Sequence, residues 1–408
     1  MSRLSRRNFF ALTGAAAAGA ALGRFASACL PLPPDAASIA AGNAAFGTSL
    51  YAQLRKQPGN LFCSPFSIST ALAMTAAGAK GKTLDEMAEV LHLPNDPHAA
   101  FGDLIGEVNR NAKLEKPAYQ LTTANAIWAQ QGYPWRPEFM DLTRKYYGAG
   151  LVPTDFGMPE QARQRINAWA EKETREKIKN LIPEGIITQL TRMVLTNAIY
   201  FKSAWLSPFV KGATTDQPFT HADGTTADVP LMLRQEHFMY AETDELQVVE
   251  LPYLKRELSM VVVLPRKADG LAKVEEDLTA EKLAGWAKAA KSVETRVFLP
   301  KFKIEWDKEL VPVLKAMGMK AAFTGDADFS GMHTAQEKLM ITNVIHKAFV
   351  AVDEEGTEAA AATAVVFGRA SAPVEPKVFR ADRPFLFLIR DNKTNSVLFL
   401  GRYAGPKA

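Results

Sequence analysis

Glu354-Glu355-Gly356-Thr357-Glu358-Ala359-Ala360-Ala361-Ala362-Thr363-Ala364-Val365-Val366-Phe367-Gly368-Arg369-Ala370-Ser371-Ala372-Pro373 carries two conflicting local preferences. Four consecutive alanines favour helix, whereas the Thr-Ala-Val-Val-Phe continuation favours strand. Laid out as a strand, Thr357, Ala359, Ala361, Thr363, Val365 and Phe367 share one uncharged face and Glu358 falls on the other. Small side chains on that face would let the segment enter between strands that are already packed, where a charge or bulk would be costly. Composition alone equally fits a surface loop of small residues.

Working outward, period-two and short apolar runs occupy the second half of the chain, around residues 193–200, 247–251, 258–264, 294–299, 339–352 and 385–389. Helical spacing predicts helices near 38–56, 66–78, 82–91, 98–113, 135–146 and 159–178, and again near 279–289 and 307–317. The first half therefore reads as mostly helical, and the whole as one α+β domain over 39–406 without repeats.

Before that domain, residues 1–28 read as a targeting segment: basic at the start, then rich in Gly and Ala, then Ala26-Ser27-Ala28. Ser5-Arg6-Arg7-Asn8-Phe9-Phe10 resembles the twin-arginine export motif. Cleavage after Ala28 would leave Cys29 first and open to lipidation, although Ala26 stands where a lipoprotein signal prefers Leu. A Pro-rich linker over 29–38 follows. Removing Arg3, Arg6, Arg7 and Arg24 from the 48 basic residues leaves 44, equal to the 44 acidic ones. A neutral body argues against nucleic acid as a partner, and membrane contact is expected only through a lipid on Cys29. With Cys29 on a tail, the other cysteine, Cys63, reads as a buried small hydrophobe.

Catalytic chemistry is scarce. Gly78-Ala79-Lys80-Gly81-Lys82-Thr83 ends like a phosphate loop, but Ala76 stands where that motif needs glycine, and helix rather than strand precedes it. There is no Gly-x-Ser-x-Gly elbow and no His-Glu-x-x-His, and the six histidines are dispersed. His346, inside an apolar run, reads as a hydrogen-bonded core histidine. No metal, cofactor or enzymatic activity is expected.

The Glu-Glu-Gly-Thr-Glu-Ala run resembles the hinge and reactive loop of inhibitory serpins. So do Asn60-Leu61-Phe62-Cys63-Ser64-Pro65-Phe66-Ser67-Ile68, Asn197-Ala198-Ile199-Tyr200-Phe201-Lys202 with Trp205, Leu251-Pro252-Tyr253, Leu299-Pro300-Lys301-Phe302 and Phe379-x-Ala381-Asp382-Arg383-Pro384-Phe385, in that order along the chain. The resemblance implies about nine helices around three sheets, with an exposed reactive loop over 354–376. It implies a metastable monomer that acts as a suicide substrate of serine proteases: after cleavage the loop inserts into the central sheet and traps the acyl-enzyme. Noninhibitory relatives, which act as carriers, chaperones or binding modules, tend to carry charge, bulk or Pro where this chain has Thr357 and Ala359, Ala360, Ala361 and Ala362.

Carried over residue by residue, the hinge comprises Glu355, Gly356, Thr357, Glu358, Ala359, Ala360, Ala361 and Ala362. The cluster gating the sheet comprises Ser64, Ser67, Asn197 and His346, with Trp205 at the top of the opening. Loop length places the scissile bond at Ala370–Ser371, suiting an elastase-like or subtilisin-like protease. One residue earlier, Arg369–Ala370 would suit a trypsin-like one. An exported bacterial protein is expected, in the periplasm, in the cell envelope or outside the cell.

Overall fold

The computed structural model describes residues 34–111, 114–115, 117–148, 150–357 and 375–406. Elements are numbered in chain order. The first half holds α1 (Pro34–Leu54), β1 (Leu61–Cys63), α2 (Pro65–Ala76), α3 (Gly81–Leu91), α4 (His98–Val108), β2 (Tyr119–Gln130), α5 (Pro137–Tyr147), β3 (Leu151–Thr154) and α6 (Pro159–Glu173). Helix α2 starts at a well-made cap: the Ser64 hydroxyl accepts from the Ser67 amide, and Pro65 sits in the first turn, where its missing donor costs nothing.

Two readings of this half need correction. The linker expected to run to residue 38 gives way to helix at Pro34, because proline's fixed φ suits a first helical turn. The stretch from Tyr119 to Gln130 is a strand in a half that reads as mostly helical.

The second half holds β4 (Met193–Ala204), β5 (Thr215–Thr220), β6 (Thr226–Glu242), β7 (Leu246–Pro252), β8 (Leu258–Pro265), α7 (Leu271–Glu276), α8 (Ala280–Ala289), β9 (Lys291–Pro300), β10 (Phe302–Glu309), α9 (Val311–Met317), β11 (Asn343–Val352), β12 (Gly356–Thr357), β13 (Lys377–Arg380), β14 (Phe385–Asp391) and β15 (Val397–Tyr403). The helix expected from 307 begins only at Val311. Phe302 and Ile304 point inward while Lys303 and Glu305 point out, and β10 pairs along β11 through Glu309.

Nine α-helices lie among the described residues, as the family resemblance implies. The strands group into two hydrogen-bonded sheets rather than three. The 17-residue β6 pairs with β5 at one end, with β9 along its middle and with β7 at the other end, which joins strands that a shorter β6 would leave in separate sheets. The result is a nine-stranded sheet and a six-stranded one ordered β10-β11-β12-β4-β2-β3.

The six-stranded sheet is covered on both sides. Leu195, Ile199 and Phe201 of β4 and Val344, Ala348 and Val350 of β11 face the main core. Val194, Ala198, Ile345 and Phe349 face a second apolar cluster built on Ala162, Ile166 and Ala170 of α6. That double burial is why β4 and β11 read as continuous apolar runs.

Candidate functional site

Strands β4 and β11 run parallel and pair directly from Val194/Asn343 to Ile199/Ala348. Beyond that they part, and Gly356 and Thr357 lie between them as a two-residue strand. Thr357 pairs with Val352 on one side and Ser203 on the other. Val352 and Ser203 differ by 149 positions, and so do Asn343 and Val194. The two strands therefore keep one register whether they touch or hold a third strand between them. A third strand can enter by sideways opening alone.

The top of this seam is anchored by buried polar and aromatic groups. Thr357 is buried, and its hydroxyl hydrogen-bonds the Tyr253 hydroxyl at 2.7 Å. Burial also pushes the Tyr253 phenol well above its ordinary range, so it remains a neutral donor and acceptor. Trp205 stacks on Tyr253 with ring centroids 4.5 Å apart, and its indole N–H donates to the Asp353 carbonyl at 2.9 Å. The Asp353 carboxylate accepts from the amides of Glu355 and Gly356 at 2.9 and 3.2 Å, shaping the turn between β11 and β12. Outside the sheet, Glu354 accepts from Thr214 at 2.9 Å and Lys301 at 3.1 Å, and Glu355 pairs with Lys211. The root of the segment expected to act as a hinge is tied down, with Thr357 facing inward.

Lower in the seam, four of the residues expected to gate the sheet meet. The Ser64 amide donates to His346 Nε2 at 3.2 Å, so the ring proton sits on Nδ1 and is donated to Asn197 Oδ1. Asn197 Nδ2 donates in turn to Ser67 Oγ at 2.5 Å and Asn125 Oδ1 at 2.6 Å. Ser64 Oγ donates to the Leu398 carbonyl at 2.7 Å, linking the cluster to β15 of the other sheet. Trp205 stands apart from these four, at the top of the opening. Sequence reasoning missed Asn125, which β2 places directly opposite Asn197. It also gave no role to Tyr253, Lys301, Lys211, Thr214 or Asp353, although Tyr253 and Lys301 lie in quoted motifs. Glu358, Ala359, Ala360, Ala361, Ala362, Arg369, Ala370, Ser371 and Cys29 lie outside the described residues.

Burial pushes the His346 ring down to about 3, although its bond with Asn197 pulls the other way. The sign follows from linkage. Unfolding exposes a ring that titrates near 6.5, so the neutral folded ring contributes its full stability above that pH and loses it as pH falls toward 3. The parent should lose about 1.4 kcal/mol per pH unit relative to His346→Gln across that window. Apparent unfolding midpoints of the two proteins between pH 7 and 4 test this; parallel curves would remove His346 as the cause.

The phosphate-loop lookalike is a packing seam. A side chain on Gly78 would meet Met332 at 2.0 Å, and the Thr83 hydroxyl accepts from the Asp328 amide at 2.9 Å. Cys63 is a free, buried thiol pushed up to about 12 by desolvation. No group of three or more His, Cys, Asp or Glu among the described residues is arranged to hold a metal.

The family model described as serpin (serine protease inhibitor) matches residues 41–406. The chain is a serpin. It is 42% identical to human Serpin B3 over 394 residues, covering 90% of this serpin and all of that protein. It is 40% identical to the leukocyte elastase inhibitor of Bos taurus over 380 residues, or 90% and 99% of the two chains. In three dimensions this serpin resembles Serpin48 of the insect Tenebrio molitor, with a TM-score of 0.80 and 35% identity over 91% and 98% of the two chains. The expected fold class is thereby established. The family is described as one of serine protease inhibitors.

Proposed function

We propose that this serpin inhibits serine endopeptidases irreversibly, as a suicide substrate, and that an elastase-like or subtilisin-like protease is its target. The observation that carries the proposal is the short strand Gly356–Thr357, seated between β4 and β11 in a register the two strands share along their length. The protease serine oxygen attacks the carbonyl carbon of Ala370, the Ser371 amine leaves with a proton, and an ester joins the two proteins. Cleavage frees the loop to extend β12 downward. In the same register Thr363 arrives between His346 and Asn197, replacing their hydrogen bond. Ala359, Ala361 and Val365 then take the inward positions between Phe201 and Val350, Ile199 and Ala348, and Leu195 and Val344. Small alanines admit this without overpacking. The protease, carried along by its ester, is distorted before water completes hydrolysis.

Mixing the mature protein with elastase, subtilisin and trypsin should give a denaturant-resistant complex with at least one of them, and the released fragment should begin at Ser371. A fragment beginning at Ala370 would move the bait to Arg369 and the target class to trypsin-like enzymes. Clean cleavage with no complex would overturn inhibition in favour of a noninhibitory binding or chaperone-like serpin. We also propose that residues 1–28 direct twin-arginine export of the folded chain from a bacterial cell, with Cys29 as the mature N-terminus. The mass of the exported protein would report both the cleavage site and any lipid.

A further inference from the structure

Resting on the inhibitory reading above, the register also fixes where the journey of the loop ends. Thr357 stands opposite Ser203 and Val352, so in the same register Val366 would stand between Val194 and Asn343, the last directly paired residues of β4 and β11, and Ala370 would lie four residues beyond them, at the pole that carries Leu190 and Met340. The thirteen residues from Thr357 to Ala370 span ~43 Å as extended strand. The alternative bait Arg369 would lie three residues beyond that last pair, at the same pole.

The segments that lead into β4 and β11 are tied together there. Thr342 Oγ1 donates to the Met193 carbonyl at 3.0 Å, Arg192 pairs with Glu337 at 3.6 Å, and the Tyr133 hydroxyl donates to the Glu337 carbonyl at 2.8 Å. At this pole Leu190 is 81% exposed, more than any other large apolar side chain among the described residues, and Met340 is 40% exposed. Their chain neighbours Thr191, Leu339 and Ile341 are buried.

A single exposed leucine is ordinary. This one is presented by a well-bonded turn. The Thr191 amide donates to the Thr188 carbonyl, the Thr188 amide to Thr191 Oγ1, and the Leu190 amide to Thr188 Oγ1, at 3.0, 3.0 and 3.3 Å. Arg192 closes the turn from outside through the Gln189 carbonyl at 2.9 Å. The backbone is fixed so that the side chain stands away from the body. A protein body pressed against this pole would bury the side chain, which is favourable wherever that body offers apolar atoms.

We propose that Leu190 and Met340 form the apolar contact against which the acylated protease is held, and that this contact prolongs the trap. Release occurs when water attacks the ester carbonyl: the acyl–oxygen bond breaks, hydroxide stays on Ala370 and the proton returns to the protease serine. That step needs the protease active site to re-form, and a contact favouring its distorted state slows it.

The test uses Leu190→Asp and Met340→Asp, with Leu114→Asp, another exposed apolar position, as the control. Complexes with elastase are isolated and recovery of free elastase activity is followed over days, alongside the rate of loop cleavage and the thermal stability of the cleaved serpin. Cleavage rate and cleaved stability should match the parent in all three. Release should quicken about tenfold for Leu190→Asp and for Met340→Asp, and not for Leu114→Asp. Release at the parent's rate from both pole variants would overturn the proposal. If the parent itself formed no complex, the inhibitory reading would fall first, and this contact with it.

Discussion

Thr357→Arg should be cleaved by the target protease as fast as the parent, while fewer than about one encounter in a hundred ends in a trapped complex. Thr357 is fully buried between Ser203 and Val352, with its hydroxyl on Tyr253. A guanidinium cannot shed its charge there, and placing an unpaired charge in such a site costs about 3–5 kcal/mol. Insertion and hydrolysis of the acyl-enzyme compete, and every ~1.4 kcal/mol added to the insertion barrier shifts that competition tenfold toward hydrolysis. Titrating a fixed amount of protease with serpin reads the result as moles consumed per mole inhibited. Thr357→Ser, which keeps the hydroxyl, should remain close to the parent. An arginine variant that still traps mole for mole would mean that Thr357 need not be seated for inhibition.

Cleavage of the parent loop should make the protein more stable. Extending β12 by about ten residues adds hydrogen bonds to both neighbours, against the six residue pairs lost where β4 and β11 now touch. At ~1 kcal/mol net per hydrogen bond the gain is on the order of 10 kcal/mol. Near 60 °C the unfolding entropy of roughly 370 residues is ~0.8 kcal/mol per degree, so the midpoint should rise by about 10 °C or more. Calorimetry of intact and cleaved protein measures it. An unchanged or lower midpoint would place the cleaved segment outside the sheet.

What could be read from the chain depended on where each signal resides. The inward parity of Thr357 is a local property of a small, uncharged face, and it survives into the structure as the contact with Tyr253. Ser64, Ser67, Asn197 and His346 were legible because each sits in a recognisable run of residues, though only folding brings them together across up to 282 positions. Strand β2 was not legible. It runs between β4 and β3, with α2 packed on one side and α6 on the other, so its sequence Tyr-Gln-Leu-Thr-Thr-Ala-Asn-Ala-Ile-Trp-Ala-Gln shows no clean alternation. Asn125 was lost with it. The roles of Lys211, Thr214 and Lys301 depend on Glu354 and Glu355 reaching across from the far end of β11, which no local pattern announces.

The shared register of β4 and β11 has a consequence for handling the protein. A slot that opens sideways without sliding distinguishes occupants by the parity and size of their inward side chains, and not by whether they belong to the same polypeptide. A neighbouring molecule's loop meets those conditions as well as the molecule's own. What favours self-occupancy is covalent attachment: a loop joined to the same chain as the slot has an effective concentration in the millimolar range. Filling by the molecule's own loop is therefore first order, whereas linkage between molecules is second order and grows with protein concentration. Dilute, cool solutions should therefore disfavour linkage between molecules, and concentrated, warmed ones should favour chains of molecules joined loop to sheet.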